Sequence, residues 1–362
     1  MSNVVTLSFP KSLKTPAEQV AALGQCFASG RRHQDDVFWL KENAEFLNIL
    51  ETSAHPNAGE ALQPYAPVYE TLAERMAFFP QYYRFHLSLC LDLEDIGMPG
   101  DQGAALCGQV ARSGLVETEL SDLQRAEARR LLLRRGERVP RGDDGLDDRL
   151  RAFIALGEPF AVPNKKMAYE LTHIVFYLSE YGRRDPALPA EAIDSLMFAG
   201  LLAMLEDNAD LLAEICIALR FAGQIPPEAW SERVSQQAGR FTVLTDEAGL
   251  ADDYHAYLMA HWHGFLTGGC SFAGALAEGR MVFAAPLEPG RTPLRELSEA
   301  LYDMGAARSP SWARMAPALS RRLSPTAWQV LTEAAGLTDG FARFFRAFAR
   351  AATEPCAMLR AL

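Results

Sequence analysis

The chain has 362 residues, of which 49% are apolar and 22% are charged, and its formal net charge is −11. This length and composition can supply the core of one large domain or two medium-sized domains. The acidic balance argues against a general affinity for nucleic acid or for anionic membranes. The longest apolar run, residues 196–205, is too short to cross a bilayer, and the first residues lack the pattern of a signal peptide.

The six cysteines are widely spaced and form no CxxC pair. This spacing is typical of small buried side chains in a reducing compartment, rather than of disulfides or a metal site. We therefore expect a cytoplasmic protein without a metal centre, and the sequence indicates no particular cofactor.

Helical patterns follow one another along almost the whole chain. The first begins at Thr15, because a threonine cap followed by Pro16 and Glu18 is a typical helix start. Further helices are predicted near residues 34–51, 64–78, 80–94, 101–113, 120–135, 145–156, 164–181, 190–206, 208–222, 227–238, 250–266, 269–278, 292–304, 312–322, 325–336 and 339–353.

Strand signals are sparse, and only residues 4–9 and 281–284 are predicted to be extended. We therefore predict an all-α fold of about fourteen to seventeen helices, built as a multi-helical array of antiparallel αα-hairpins. An α/α-toroid is one such arrangement. The Gly-, Pro- and charge-rich segment 136–149 is the predicted boundary between an N-terminal helical region, 1–140, and a C-terminal one, 150–362, unless both form one continuous domain.

The segment 164–181 predicts one helix with two different faces, capped by Asn164 and followed by Gly182. One face is apolar and carries Met167, Leu171, Ile174, Val175 and Leu178. The opposite face is a polar and aromatic stripe made of Glu170, His173, Tyr177 and Glu180. Because tyrosine and phenylalanine are unusual residues for a fully solvated face, we predict that this stripe lines a polar cavity.

Lys165 and Lys166 open the same helix, where positive charge opposes the helix macrodipole. Two interpretations stay open. The lysines bind an anion such as phosphate or carboxylate, together with the backbone N–H groups, or their long side chains simply reach solvent.

Glu42 and Asn43 lie inside a wide apolar arc of the helix predicted at 34–51. A buried carboxylate needs polar partners. These two residues are therefore predicted either to bond neighbouring helices or backbone, or to belong to a binding site.

The segment 251–265 contains three of the seven histidines, His255, His261 and His263. Their gaps of six and two residues bring no pair together on a helix, which argues against a zinc helix. Asp252 shares a stripe with His255, and Asp253 shares one with His261. An aspartate in reach of a histidine can prepare it as a general base, although histidines at the edge of a core show the same pattern.

Two segments carry a resemblance to known sequences. FWLKENAEFLNILE (38–51) and KMAYELTHIVFYLSEYG (166–182) resemble an uncharacterised all-helical family of proteobacterial proteins, a domain of unknown function. The ELTHxxFYLSEYG string and the later YH-containing helix also resemble parts of helical proteins from bacterial biosynthetic clusters. The resemblance implies a helical fold and a bacterial cytoplasmic setting, and it implies no activity.

Three functions therefore stay open. The first is binding of a small molecule or peptide in a polar cavity lined by the helices at 164–181 and 251–265. The second is an enzyme in which Glu170, His173 and Tyr177 act as acids and bases with His255 or His263. The third is a helical scaffold for protein–protein interaction. Binding is favoured, because no nucleophile, metal or nucleotide motif is recognisable.

Overall fold

The structure, a computed structural model, describes residues 15–138, 144–245, 252–286 and 290–351. Within these residues it contains sixteen α-helices and one sheet of two short strands, which confirms the predicted all-α class. None of the helices in these ranges is both long and apolar enough to cross a bilayer. The predicted strand at residues 4–9 lies outside the described residues.

The helices lie close to their predicted positions. They are α1 Pro16–Gln25, α2 Val37–Thr52, α3 Ala66–Phe78, α4 Tyr83–Ile96, α5 Gln102–Ser113, α6 Asp122–Leu133, α7 Leu146–Ile154, α8 Lys165–Leu178, α9 Ala190–Leu205, α10 Ala209–Phe221, α11 Glu228–Ala238, α12 Tyr254–Phe265, α13 Pro293–Asp303, α14 Trp312–Leu319, α15 Pro325–Gly336 and α16 Phe341–Ala349. A π-helical turn, Cys26–Gly30, follows α1. Short 3-10 turns occur at Ala58–Ala61, Gln63–Tyr65, Pro80–Tyr82, Val116–Thr118, Glu158–Ala161 and Gly305–Ala307.

The sheet pairs β1, Thr242–Thr245, with β2, Met281–Ala284, in antiparallel register. β2 was predicted from the sequence, whereas β1 was not.

The prediction of a helix at 269–278 is wrong, because the structure has no helix there. Gly274 explains part of this difference. Its φ is +100°, and a Cβ atom there would lie 2.9 Å from the Val243 side chain, so the glycine lets the loop approach β1 closely.

The chain divides into two compact units. The first comprises Met1–Asp144 and Ser235–Pro286, and the second comprises Gly145–Val234 and Leu287–Leu362. The chain first passes from one unit to the other after Asp144, which lies in the predicted boundary segment 136–149. Residues 139–143 of that segment lie outside the described part. The first unit also includes a segment that the sequence prediction had placed in the C-terminal region.

Local signals explain where the helices begin. The Thr15 side chain accepts a hydrogen bond from the Glu18 N–H, and the Glu18 carboxylate accepts one from the Thr15 N–H.

In the first unit, α4 packs against α2, α3, α5 and α6, while α12 packs against α2 and β2. In the second unit, α10 packs against both α8 and α9, and α15 packs against α9, α13 and α16.

A glycine lets an indole pack directly onto α9 in the second unit. Trp230 is fully buried, and a Cβ atom on Gly200 would lie 2.3 Å from its ring. We expect Gly200→Ala to lower the free energy of unfolding by about 1–3 kcal/mol, because the indole must shift in a close-packed core. Urea denaturation measures this change. Gly336→Ala is the matched control, since no atom lies within 4 Å of its Cβ position. A cost for Gly336→Ala equal to that for Gly200→Ala would contradict the steric explanation.

Candidate functional site

Helix α8 begins as predicted but ends earlier. The Asn164 side chain accepts a hydrogen bond from the Met167 N–H at 3.2 Å, which caps the helix. Four of the five residues on the predicted apolar face, Leu171, Ile174, Val175 and Leu178, are buried, whereas Met167 is partly buried. The helix stops at Leu178 instead of 181, because Glu180 and Tyr181 take left-handed φ values of 49° and 54°. Glu180 therefore does not continue the helical stripe.

The remaining stripe residues have partners within the second unit. Glu170 lies 3.9 Å from the ammonium group of Lys166, whose side chain is 87% exposed. The Nδ1 atom of His173 lies 2.7 Å from the Tyr169 carbonyl oxygen. The Tyr177 ring meets the His173 ring edge-on, with 6.1 Å between their centroids.

A buried carboxylate lies beside His173. Glu214, on α10, accepts a hydrogen bond from the Thr172 hydroxyl at 2.5 Å and lies 3.8 Å from His173 Nδ1. The Glu214 side chain is 1% exposed, whereas that of His173 is 37% exposed. The predicted histidine thus lies beside a buried carboxylate while its Nδ1 atom contacts the Tyr169 carbonyl oxygen, and a catalytic role for His173 stays a prediction.

A pocket of about 270 Å³ opens beside the first turns of α8. Three alanines of its lining, Ala168, Ala199 and Ala203, belong to α8 and α9, and the buried Phe160 side chain also lines it. We call it the alanine pocket. Its other apolar lining residues are Val162, Pro163, Met167, Leu202, Leu211 and Leu294.

The polar part of the alanine pocket consists of three residues, Asn164, Lys165 and Glu206. The Lys165 ammonium lies 3.2 Å from the Glu206 carboxylate. Close to the lining, the Tyr169 hydroxyl donates a hydrogen bond to Asp210 at 2.6 Å, which joins α8 to α10. Burial, followed by the Asp210 charge, raises the pKa of Tyr169. The phenol therefore stays protonated and able to donate at neutral pH.

A model of the DUF6902 family, a domain of unknown function, matches residues 1–351 of the chain. The chain belongs to the DUF6902 family. This membership confirms the resemblance to a domain-of-unknown-function family that two segments indicated. No curated protein and no solved structure is significantly similar to this DUF6902 chain. Its function must therefore be inferred from its own geometry.

The other predicted catalytic residues of the DUF6902 chain lie on α12, in the first unit. The Nε2 atom of His255 lies 3.9 Å from the Glu45 carboxylate, which also accepts a hydrogen bond from Tyr254. His263 is 1% exposed. Helices α8 and α12 belong to different units, and a cavity that they share stays a prediction.

Glu42 and Asn43 have structural partners within the first unit. The Asn43 amide donates to the carbonyl oxygens of Phe27 and Trp39, and its oxygen accepts from the Tyr65 hydroxyl. The Glu42 carboxylate accepts hydrogen bonds from two arginines of the segment before α2. These contacts satisfy both side chains, and a binding role for them stays a prediction.

Within the described ranges, no group of three or more His, Cys, Asp or Glu side chains lies close enough together to hold a metal ion.

Among the predicted site residues of this DUF6902 chain, only Lys165 lines the alanine pocket. Sequence reasoning missed the alanines and Glu206. The available signal was the four-residue spacing of Ala199 and Ala203, which puts two small residues on one face of an apolar helix.

Proposed function

We propose that this protein binds a small, largely apolar molecule in the alanine pocket. The observation that carries the proposal is the composition of the pocket: ten of its thirteen lining residues are apolar, and three of these are alanines that leave about 270 Å³ unfilled. Clefts with mostly apolar walls and a few polar groups are the usual form of small-molecule sites. A space of this size on one side of the second unit therefore favours an occupant.

The size of the pocket favours a small molecule over a peptide. An apolar cavity of roughly 150 Å³ takes up a benzene-sized ligand, and pockets for drug-sized ligands begin at about 300 Å³. A volume of about 270 Å³ lies between these two cases. It suits a molecule that carries one ring or a short branched chain.

Toluene is a suitable first probe, because it has no polar group and tests the apolar part of the site alone. We expect toluene to cause saturable chemical-shift changes in the backbone amide signals of Ala203 and Leu211, measured by NMR on the full chain. Spectra that stay unchanged up to the solubility of toluene would overturn the proposed function.

Filling the pocket should abolish this binding. Ala203→Leu adds three carbon atoms from α9, and Ala168→Leu adds them from α8, so the two variants fill the same space from different walls. Ala209→Leu is the matched control, because Ala209 is a partly buried alanine at the start of α10 that does not line the pocket. Toluene binding that survives both filling variants, with the fold intact by circular dichroism, would place the ligand elsewhere.

The other sequence-based hypotheses rest on different residues. His173 lies beside Glu214, and His255 lies beside Glu45, so each histidine has the carboxylate neighbour that acid–base chemistry uses. Neither histidine lines the alanine pocket. The enzyme and scaffold hypotheses therefore stay predictions that are separate from the binding proposal.

A further inference from the structure

The mouth of the alanine pocket holds one ammonium group and one carboxylate side by side. Lys165 and Glu206 form an ion pair of 3.2 Å, and their side chains are 62% and 31% exposed. An ion pair with this exposure contributes little to stability, because water screens it and two side chains must be held in place. Both charged groups can therefore exchange their mutual contact for contacts with a ligand at small cost.

One side of the mouth carries a positive charge and hydrogen-bond donors, and the other side carries a carboxylate. Lys165 is the first residue of α8, and the Asn164 side chain next to it uses its oxygen to cap the helix. Asn164 is exposed, so its amide N–H groups can act as a second donor beside the ammonium. Glu206 is the C-cap residue of α9 and supplies a carboxylate on the other side.

A ligand with a single charge fits this mouth poorly. An anion that binds Lys165 is repelled by Glu206, and a cation that binds Glu206 is repelled by Lys165. A ligand that carries both charges has neither problem, since each of its groups finds an opposite charge and the original pair is replaced by two new ones.

From the Lys165–Glu206 pair at the mouth of an apolar pocket, we infer that the ligand is a free α-amino acid with an apolar side chain. Its carboxylate meets Lys165 and the Asn164 amide, its ammonium meets Glu206, and its side chain enters the space between the alanines. This inference rests on the proposed function, because it assigns a chemical class to the molecule that the alanine pocket binds.

Four related probes separate the contributions of the charges. L-Phenylalanine carries both charges, 3-phenylpropionate lacks the ammonium, 2-phenylethylamine lacks the carboxylate, and toluene lacks both. We expect NMR titration of the full chain to give L-phenylalanine an affinity about two- to five-fold higher than that of either singly charged probe, as expected for a solvent-screened ion pair.

Two variants test the assignment of each charge. Lys165→Met should reduce the affinity for L-phenylalanine about two- to five-fold and leave that for 2-phenylethylamine equal or higher. Glu206→Gln should reduce the affinity for L-phenylalanine by a similar factor and leave that for 3-phenylpropionate equal or higher. Lys166→Met is the matched control, because this lysine is 87% exposed and does not line the pocket. It should leave all four affinities unchanged.

The failure of this inference is distinguishable from failure of the proposed function. If toluene binds and L-phenylalanine binds no more tightly, the amino-acid inference is overturned while binding of an apolar molecule stands. If Lys165→Met and Lys166→Met weaken L-phenylalanine equally, the effect is one of general charge and the inference is again overturned. If toluene does not bind, the proposed function itself is overturned.

Discussion

Replacing Glu42 with alanine will lower the free energy of unfolding by about 3–5 kcal/mol, the usual cost of breaking a buried ion pair from one side. The Glu42 side chain is 2% exposed and accepts hydrogen bonds from the Nε atoms of Arg31 and Arg32. Arg31 is 4% exposed, so its guanidinium cannot turn to water when Glu42 is removed. Urea denaturation of the variant and the parent chain measures the difference.

The cost follows from the surroundings of Arg31. Its guanidinium carbon lies 5.1 Å from the ring centroids of both Phe27 and Tyr254. Its Nη1 atom donates a hydrogen bond to the Met281 carbonyl oxygen at 2.8 Å. Burial alone would lower the pKa of Arg31, but the contacts with Glu42 and Asp252 outweigh burial and raise it. Without Glu42, the positive charge stays in place among aromatic rings with much less compensation.

A double variant tests this reason. Adding Arg31→Met to Glu42→Leu removes the buried charge that has lost Glu42 and is left with Asp252 as its carboxylate partner, and an apolar replacement for a buried ion pair is often neutral. We expect the double variant to recover most of the stability that the Glu42 change removes. If it is less stable than the Glu42→Leu single variant, lost contacts rather than a partly unpaired charge explain the effect.

Much of the fold could be predicted from the sequence, because helix positions depend on local signals. The caps at Thr15, Asn164 and Ser324 start helices within one residue of the prediction. Errors arose where distant contacts decide the structure. The loop around Gly274 follows β1 closely, and the strand pair joins residues 242–245 to residues 281–284, which no local pattern indicates.

The candidate site was predictable only in part. The sequence indicates Lys165 as a candidate anion-binding residue, because its charge opposes the dipole of its own helix. The alanine pocket itself is formed by residues as far apart as Phe160 and Leu294, and its space exists because alanines occupy positions where larger side chains would fill the core. Alanine is also the best helix former, so a helix pattern alone does not distinguish an alanine that leaves space from one that only favours the helix.

His261 shows how a histidine that resembles a catalytic residue can be held in a neutral state. Its ring is 4% exposed in the first unit. The Ala273 N–H donates to His261 Nε2 at 2.7 Å, so the ring proton resides on Nδ1, which lies 2.7 Å from the Tyr257 carbonyl oxygen. Protonation of Nε2 would break the first of these bonds. Burial lowers the pKa of His261 from 6.5 to about 4, with the Tyr257 carbonyl opposing the shift.

The free energy of unfolding should therefore fall as the pH is lowered through the pKa of the unfolded histidine. Between a pKa of 6.5 in the unfolded chain and about 4 in the folded chain, only the unfolded state binds the proton, so acid favours unfolding. From about pH 7.5 to about pH 4.5, His261 alone should remove about 2–3 kcal/mol. His86, whose pKa burial also lowers to about 4, acts in the same direction.

A comparison of variants isolates the contribution of His261. His261→Gln cannot titrate, and its amide offers one donor and one acceptor in place of the two ring nitrogens. We expect the variant to start less stable at about pH 7.5 but to lose about 2–3 kcal/mol less than the parent chain on acidification to about pH 4.5. His33→Gln is the control for the replacement of a histidine by glutamine, because the His33 side chain is 84% exposed. Parallel stability curves for His261→Gln and the parent chain would mean that other groups, not this buried imidazole, set the acid sensitivity of the first unit.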